Sequence, residues 1–275
     1  MSRDFKGPDL KLVENKHPEL LKLAKQFDDD GFIIIDLDLK DQFNKKIIRD
    51  IEVIVSKQDF KKNPDYYHYN ESPRIIEAWR DSDAIKDLAL NRQILLILEI
   101  LYNAKPLAFS TINFIRGTEQ PLHSDYIHFG SMPELYLVGA WTALEDISID
   151  SGPLSVVKKS HKTPIVNFQD LGFSDAPKTT KQIKERYTRY EKYLQNYIEQ
   201  NNLEIVTPLL KAGQTLIWSA NLFHGAQKIN NKSITRYSQV THYHFDNCEF
   251  FYNPNFSNRY INQFIKRDIM SSLIS

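Results

Sequence analysis

The chain has 275 residues, 41% of them hydrophobic, with 35 Lys+Arg against 35 Asp+Glu and so no net charge. That is enough apolar side chain for a sizeable core and too much for a disordered chain. Zero net charge gives no general attraction to nucleic acid or to an anionic membrane, so neither is expected as a partner.

The single cysteine, Cys248, forbids an internal disulfide and suits a cytoplasmic location. Met1 to Leu10 carries Arg3, Asp4 and Lys6 and does not read as a secretory signal. The longest apolar runs, such as 94–98, are too short to span a bilayer.

In chain order, residues 19–27 place Leu20, Leu21, Leu23, Ala24 and Phe27 at helical spacing, and Gly31 stops them. Phe32 to Ile35 is a β-branched apolar run, read as the first strand. Helical spacing returns over 41–58, and 59–74, with Pro64 and Pro73, reads as loop. Residues 83–102 form one predicted helix, apolar nearly all round near its end and therefore buried. From 107 the pattern becomes β, with strands predicted over 107–115, 135–144, 154–157, 204–209, 215–219 and 233–244. A charged helix over 178–202 interrupts them, with Ile183, Tyr187, Tyr190, Leu194 and Ile198 on one face. Short strands parted by Gly, Pro and Asn turns suggest a barrel or sandwich with helices on one face, an α+β fold with a mainly β core. The expected organisation is a single domain over 1–275. It comprises a mainly helical part (1–106), a barrel (107–250) with the 178–202 insertion, and a tail (251–275).

The chemistry concentrates in Gln120-Pro121-Leu122-His123-Ser124-Asp125 and in Asn221-Leu222-Phe223-His224-Gly225. His123 and Asp125 are close enough to grip one metal ion, and His224 could bring a second imidazole. Two His and one carboxylate leave the other positions of the metal open, which suits a non-haem Fe(II) site. Arg236, on the next predicted strand, could hold a carboxylate by a bidentate pair. The bland alternative is a set of core or surface histidines. A second His-x-Asp, at His244 and Asp246, has no histidine after it. His242 and His244 alternate on a predicted strand and read as hydrogen-bonded residues of a partly buried face rather than as a metal pair.

Around these motifs lie, in order, Gly117 to Asp125, Gly139 to Asp146, Ser151-Gly152-Pro153-Leu154, Ser160-His161-Lys162, Gly213 to Trp218, His224-Gly225 and Arg236. The ordered set resembles the phytanoyl-CoA dioxygenase-like family of Fe(II)- and 2-oxoglutarate-dependent oxygenases, over roughly residues 25–250. The resemblance implies a double-stranded β-helix, that is, a jelly-roll or cupin-like barrel, with flanking helices. It implies Fe(II) on His123, Asp125 and His224, with 2-oxoglutarate chelating it and O2 as oxidant. Arg236 would pair with the distal carboxylate of 2-oxoglutarate, and Trp141 would line the co-substrate pocket. Where the family often has a hydroxyl residue two positions after the distal His, this chain has Ala226, so Thr142 or Asn113 is expected to supply that hydrogen bond. Lys158-Lys159 replaces the family's usual Pro-Gly before Ser-His. Asp125 favours hydroxylation or a related oxidation over chlorination, since halogenating relatives lack the carboxylate.

The expected substrate is a small molecule, anionic or an activated sugar or secondary metabolite. Its candidate contacts are Tyr126, His128, Arg74 and Trp79. The charged helix reads first as a solvated amphipathic helix packed on the barrel. Competing readings are a cupin-type metal-dependent enzyme that uses no 2-oxoglutarate, a non-catalytic binding protein on the same barrel, and a zinc hydrolase. Nothing in the sequence speaks to oligomeric state.

Overall fold

Helices form where apolar residues recur on one face, and they end where a side chain or a left-handed residue stops them. The computed structural model describes residues 4–57, 73–173, 177–252 and 268–270. Helix α1 (Leu10–Lys16), not expected from the sequence, starts at Asp9, whose carboxylate accepts the Leu12 N–H at 3.0 Å. Helix α2 (Leu21–Asp30) ends at Gly31, where φ is 83°. A side chain there would also strike the His161 ring and Leu222. Helix α3 spans Asp41–Lys57. The helix expected over 83–102 is two, α4 (Asp83–Ala89) and α5 (Arg92–Tyr102). The break falls at Asn91, which is non-helical (φ −56°, ψ 125°) and accepts from the N–H groups of Gln93 and Ile94, opening a new helix.

The strands are β1 (Phe32–Asp36), β2 (Arg74–Ile76), β3 (Pro106–Phe114), β4 (Phe129–Met132), β5 (Leu137–Ala143) and β6 (Leu154–Val157). After helix α6 (Thr180–Gln200) come β7 (Ile205–Val206), β8 (Gln214–Ser219), β9 (His224–Ala226), β10 (Ser238–Phe245) and β11 (Glu249–Tyr252). Six of these form an antiparallel sheet in the order β1-β8-β5-β10-β3-β2, faced by the smaller sheet β7-β6-β9, while β11 pairs with β4. Phe32, Trp141, Leu154, Val156, Leu216, Trp218 and Val240 meet between the two main sheets. Alternate residues, among them Ile33, Ile35, Ala140, Ile217, Tyr243 and Phe245, pack against the helices instead. Each fully buried Ile or Phe contributes about 2 kcal/mol, so this strict alternation fixes the register. The result is the jelly-roll that the sequence suggested, but its helices are not confined to one face: α2 to α5 cover the larger sheet, and α6 lies against Val157 and Phe223 on the smaller side.

The predicted strand over 233–244 begins later, at Ser238, and that over 204–209 shrinks to two residues. The loop expected over 59–74 lies outside the described residues except at its end, where Arg74 opens β2. Most of the expected tail over 251–275 is also outside them. Between His242 and Tyr243 the β10–β3 register shifts, leaving Phe109 unpaired. Such bulges re-aim side chains, and Phe109 packs with Tyr126, Leu137 and Phe250 at one end of the barrel. No helix among the described residues is long and apolar enough to cross a membrane.

Candidate metal centre

His123 and His224 sit on one rung. Each donates its backbone N–H to the other's carbonyl at 2.8 Å, and their rings lie 4.5 Å apart. Gly225 permits this approach, because a Cβ there would meet Gln120 O at 2.8 Å and Leu122 N at 2.9 Å. The His123 Nδ1 lies 2.9 Å from Pro121 O, and the His224 Nδ1 lies 3.0 Å from Leu222 O. A carbonyl can only accept, so both rings carry the proton on Nδ1 and turn the Nε2 lone pair outward.

Asp125 follows on a short 3-10 turn opened by Ser124, whose hydroxyl accepts the Tyr126 N–H at 3.1 Å. That hydroxyl is anchored in turn on Ala220 O (3.2 Å) and Asn221 Oδ1 (3.3 Å). Trp218 donates its indole N–H to Asp125 Oδ2 at 2.8 Å, which leaves Oδ1 turned to His224 Nε2, 3.6 Å away. Burial pushes the Asp125 carboxyl up, but the fields of His224, His242 and His123 and the Trp218 hydrogen bond outweigh it and hold it at about 2. Burial, with His224 alongside, drives His123 well below the ordinary histidine range. The centre therefore holds one fixed negative charge beside a neutral His123 at neutral pH. One ligand atom from each of these buried residues lies within 4.8 Å of the others. This donor set fits a divalent cation.

Arg236 faces the same interior. It is 2% exposed, and its guanidinium stands 5.6 Å from the Trp141 ring centre and 5.8 Å from that of Phe114. Nη1 donates to Gly152 O at 2.6 Å, while Nε has no hydrogen-bond partner among the described residues. No carboxylate among them lies within ion-pair distance. Burial, and then Arg74, push its pKa down to about 10, so it is still charged at neutral pH. A buried cation without a counter-ion calls for an anionic ligand.

The other expected contacts divide. Thr142 and Asn113 do not reach this space. A strand cannot turn neighbours to one face, and Trp141 and Phe114 take the inner positions. Asn113 donates to Gln239, which bonds Ile85 O in the helix layer, and Thr142 pairs with Thr215 at 2.8 Å. Trp79 is also misplaced as a substrate contact: it packs in the helix-side core and donates to Glu77 at 2.7 Å. Tyr126 turns its ring into the aromatic cluster at the barrel end. His128 and Arg74 do lie beside the triad. The His128 ring is 5.8 Å from that of His123, and burial pushes His128 down to about 4. Arg74 donates to Gln120 Oε1 at 3.0 Å, and the Gln120 amide nitrogen lies 3.0 Å from His123 Nε2. A metal held by His123 Nε2 would have to displace that amide.

The insertion helix α6 packs on the barrel through Tyr190, Leu194 and Ile198, while Lys178, Lys181 and Lys184 are exposed, as expected of a solvated face. Tyr190 has a further part, because its hydroxyl accepts the Ser124 N–H at 3.2 Å, between the two ligands of the first motif. Sequence reasoning missed Gln120, Trp218 and Tyr190. Gln120 and Trp218 lie inside segments that the sequence singled out, but nothing in spacing tells which side chain meets a residue 93 positions away.

The profile of the family described as "Phytanoyl-CoA dioxygenase (PhyH)" matches residues 27–237. The chain belongs to the phytanoyl-CoA dioxygenase family. This family member is 24% identical over 198 residues to "Phytanoyl-CoA dioxygenase, peroxisomal" of Rattus norvegicus, covering 72% of this chain and 51% of the rat protein. It is 27% identical over 166 residues to "Probable phytanoyl-CoA dioxygenase" of Caenorhabditis elegans, covering 55% of this chain and 48% of the other. The chain thus spans about half the length of the relatives it matches. Among solved structures, it shares its fold with the non-heme alpha ketoglutarate dependent epimerase SnoN from nogalamycin biosynthesis (TM-score 0.66, 17% identity, covering 91% of this chain and 94% of that one). It also shares it with EctD from S. alaskensis, solved with 2-oxoglutarate and 5-hydroxyectoine (TM-score 0.64, 18% identity, covering 90% and 83%).

Proposed function

We propose that this member of the phytanoyl-CoA dioxygenase family is an Fe(II)- and 2-oxoglutarate-dependent dioxygenase that hydroxylates a C–H bond of a small, anionic molecule. The observation that carries the reading is Arg236, a buried guanidinium with no acidic partner among the described residues, on the same inner face as a His-Asp-His triad. His123, Asp125 and His224 would hold the iron. When bound, iron would supply the activation of O2, with 2-oxoglutarate as the reductant that is decarboxylated to succinate. The chain's own share is placement. Arg236 would take the distal carboxylate of the keto acid, with Trp141 and Phe114 walling the charge off from water. Asp125, held ionised, would be the one anionic donor, so a divalent ion on the triad would keep a net positive charge that attracts an anionic co-substrate. Arg74 and His128 flank the triad on the remaining side and support an anionic substrate. SnoN, an alpha ketoglutarate dependent epimerase, and EctD, solved with 2-oxoglutarate, support the use of this keto acid.

The test is calorimetric titration of the Co(II)-loaded chain with 2-oxoglutarate, paired with succinate release under Fe(II) and ascorbate. Arg236→Leu should weaken the keto acid by roughly a hundredfold, as loss of a charge-assisted pair does. Its metal affinity should be unchanged. A metal-loaded wild type that ignores 2-oxoglutarate would sink the reading in favour of a cupin-type enzyme with another co-substrate.

A further inference from the structure

A third histidine reaches Asp125. His242 Nε2 lies 3.7 Å from Oδ2, whereas His224 Nε2 lies 3.6 Å from Oδ1. His242 is buried on the inner face of β10. Its ring is 5.3 Å from that of Phe129 and 6.0 Å from that of Phe109, the residue the bulge leaves unpaired.

The three imidazoles differ in what their Nδ1 atoms meet. Those of His123 and His224 each lie against a backbone carbonyl, which fixes the proton there and frees Nε2. The Nδ1 of His242 has no hydrogen-bond partner among the described residues. Its Nε2 instead faces, at 3.7 Å, a carboxylate oxygen that already accepts from Trp218. A lone pair on Nε2 would face the lone pairs of that oxygen and be repelled. A proton on Nε2 is attracted.

We propose that His242 carries its proton on Nε2 and is a positioning residue for Asp125, holding Oδ2 together with Trp218 so that the carboxylate offers a metal Oδ1 alone. The inference rests on the metal-centre reading above. It excludes His242 as a fourth ligand, because a protonated Nε2 has no pair to donate. It also gives a reason for the open side of the centre. A carboxylate bound through one oxygen takes one coordination position, whereas a chelating one takes two and narrows the space for the keto acid and O2. With Trp218 as the only donor, Oδ2 is free to swing onto the metal.

Long-range proton–nitrogen spectra of the Zn(II)-loaded full chain, with 15N-histidine, read the tautomers directly. His123 and His224 should show Nδ1–H with a zinc-shifted Nε2. His242, identified by its loss in His242→Gln, should show Nε2–H with a bare Nδ1. A bare or zinc-bound Nε2 on His242 overturns the proposal. If zinc shifts neither His123 nor His224, the metal-centre reading fails instead, and the His242 tautomer is still read. Visible spectra of the Co(II)-loaded protein give a second measure. His242→Leu should lower the ligand-field intensity as the carboxylate chelates and coordination rises. His242→Gln, whose amide N–H reaches the same oxygen, should restore the wild-type spectrum. Identical spectra for wild type and His242→Leu would also overturn the proposal.

Discussion

Asp125 has one oxygen held by Trp218 and the other turned to His224, so a metal on the triad would meet a single oxygen and the residue would be the point of the centre most sensitive to substitution. Asp125→Ala removes the one anionic donor and leaves Trp218 N–H without its acceptor. Metal affinity should fall by two or more orders of magnitude, and 2-oxoglutarate turnover should vanish. Isothermal titration with Co(II) and succinate assay check the two separately, and retained turnover would end the triad assignment. At this scale the sequence was informative where chemistry is carried by residue type and order. His123, Asp125, His224, Arg236 and Trp141 share the interior as their motifs suggested. It misled where facing decides. Thr142 follows Trp141 and Asn113 precedes Phe114, so the pleat alone turns both away from Arg236. The two-residue period of a strand is enough by itself to exclude them.

At the scale of elements, α6 is a brace for the metal loop as well as cover for the barrel. Tyr190 takes the Ser124 N–H, and Ser124 stands between His123 and Asp125. Tyr190→Phe keeps the ring among Phe168, Leu194 and Phe223 but leaves that buried N–H unpaired. The cost should be about 1–2 kcal/mol, or a Tm lower by roughly 2–6 °C. Calorimetric melting of the metal-free protein measures it, and an unchanged Tm would show that water replaces the hydroxyl. Elements with several repeats of their period were legible, including β3, β5, α3 and α6, and four-residue β6 was legible only through the turn at 150–153 that precedes it. Strands β2, β4, β9 and β11 are three or four residues long and too short to display an alternation. The division between α4 and α5 turned on a single capping side chain, Asn91, inside an unbroken apolar run.

For the whole molecule, the buried imidazoles set the acid limit of the metal-free fold. Burial pushes His128 and His161 down to about 4, against 6.5 in an open chain. Between those values the unfolded chain binds protons that the folded chain refuses. Stability is therefore full above pH 6.5 and is lost as pH falls toward 4. Urea midpoints at pH 7.5, 6 and 4.5 should decline in that order, and His161→Asn should flatten part of the slope. A flat profile would mean that these rings take up protons without unfolding. One further property follows from the rung that His123 and His224 share. Two nitrogens mounted on neighbouring backbones, each locked by its own carbonyl, cannot spread independently. Their bite on an ion would be set by strand spacing, so an ion of different radius would have to be accommodated on the carboxylate side, and discrimination among divalent ions would become a property of the main chain.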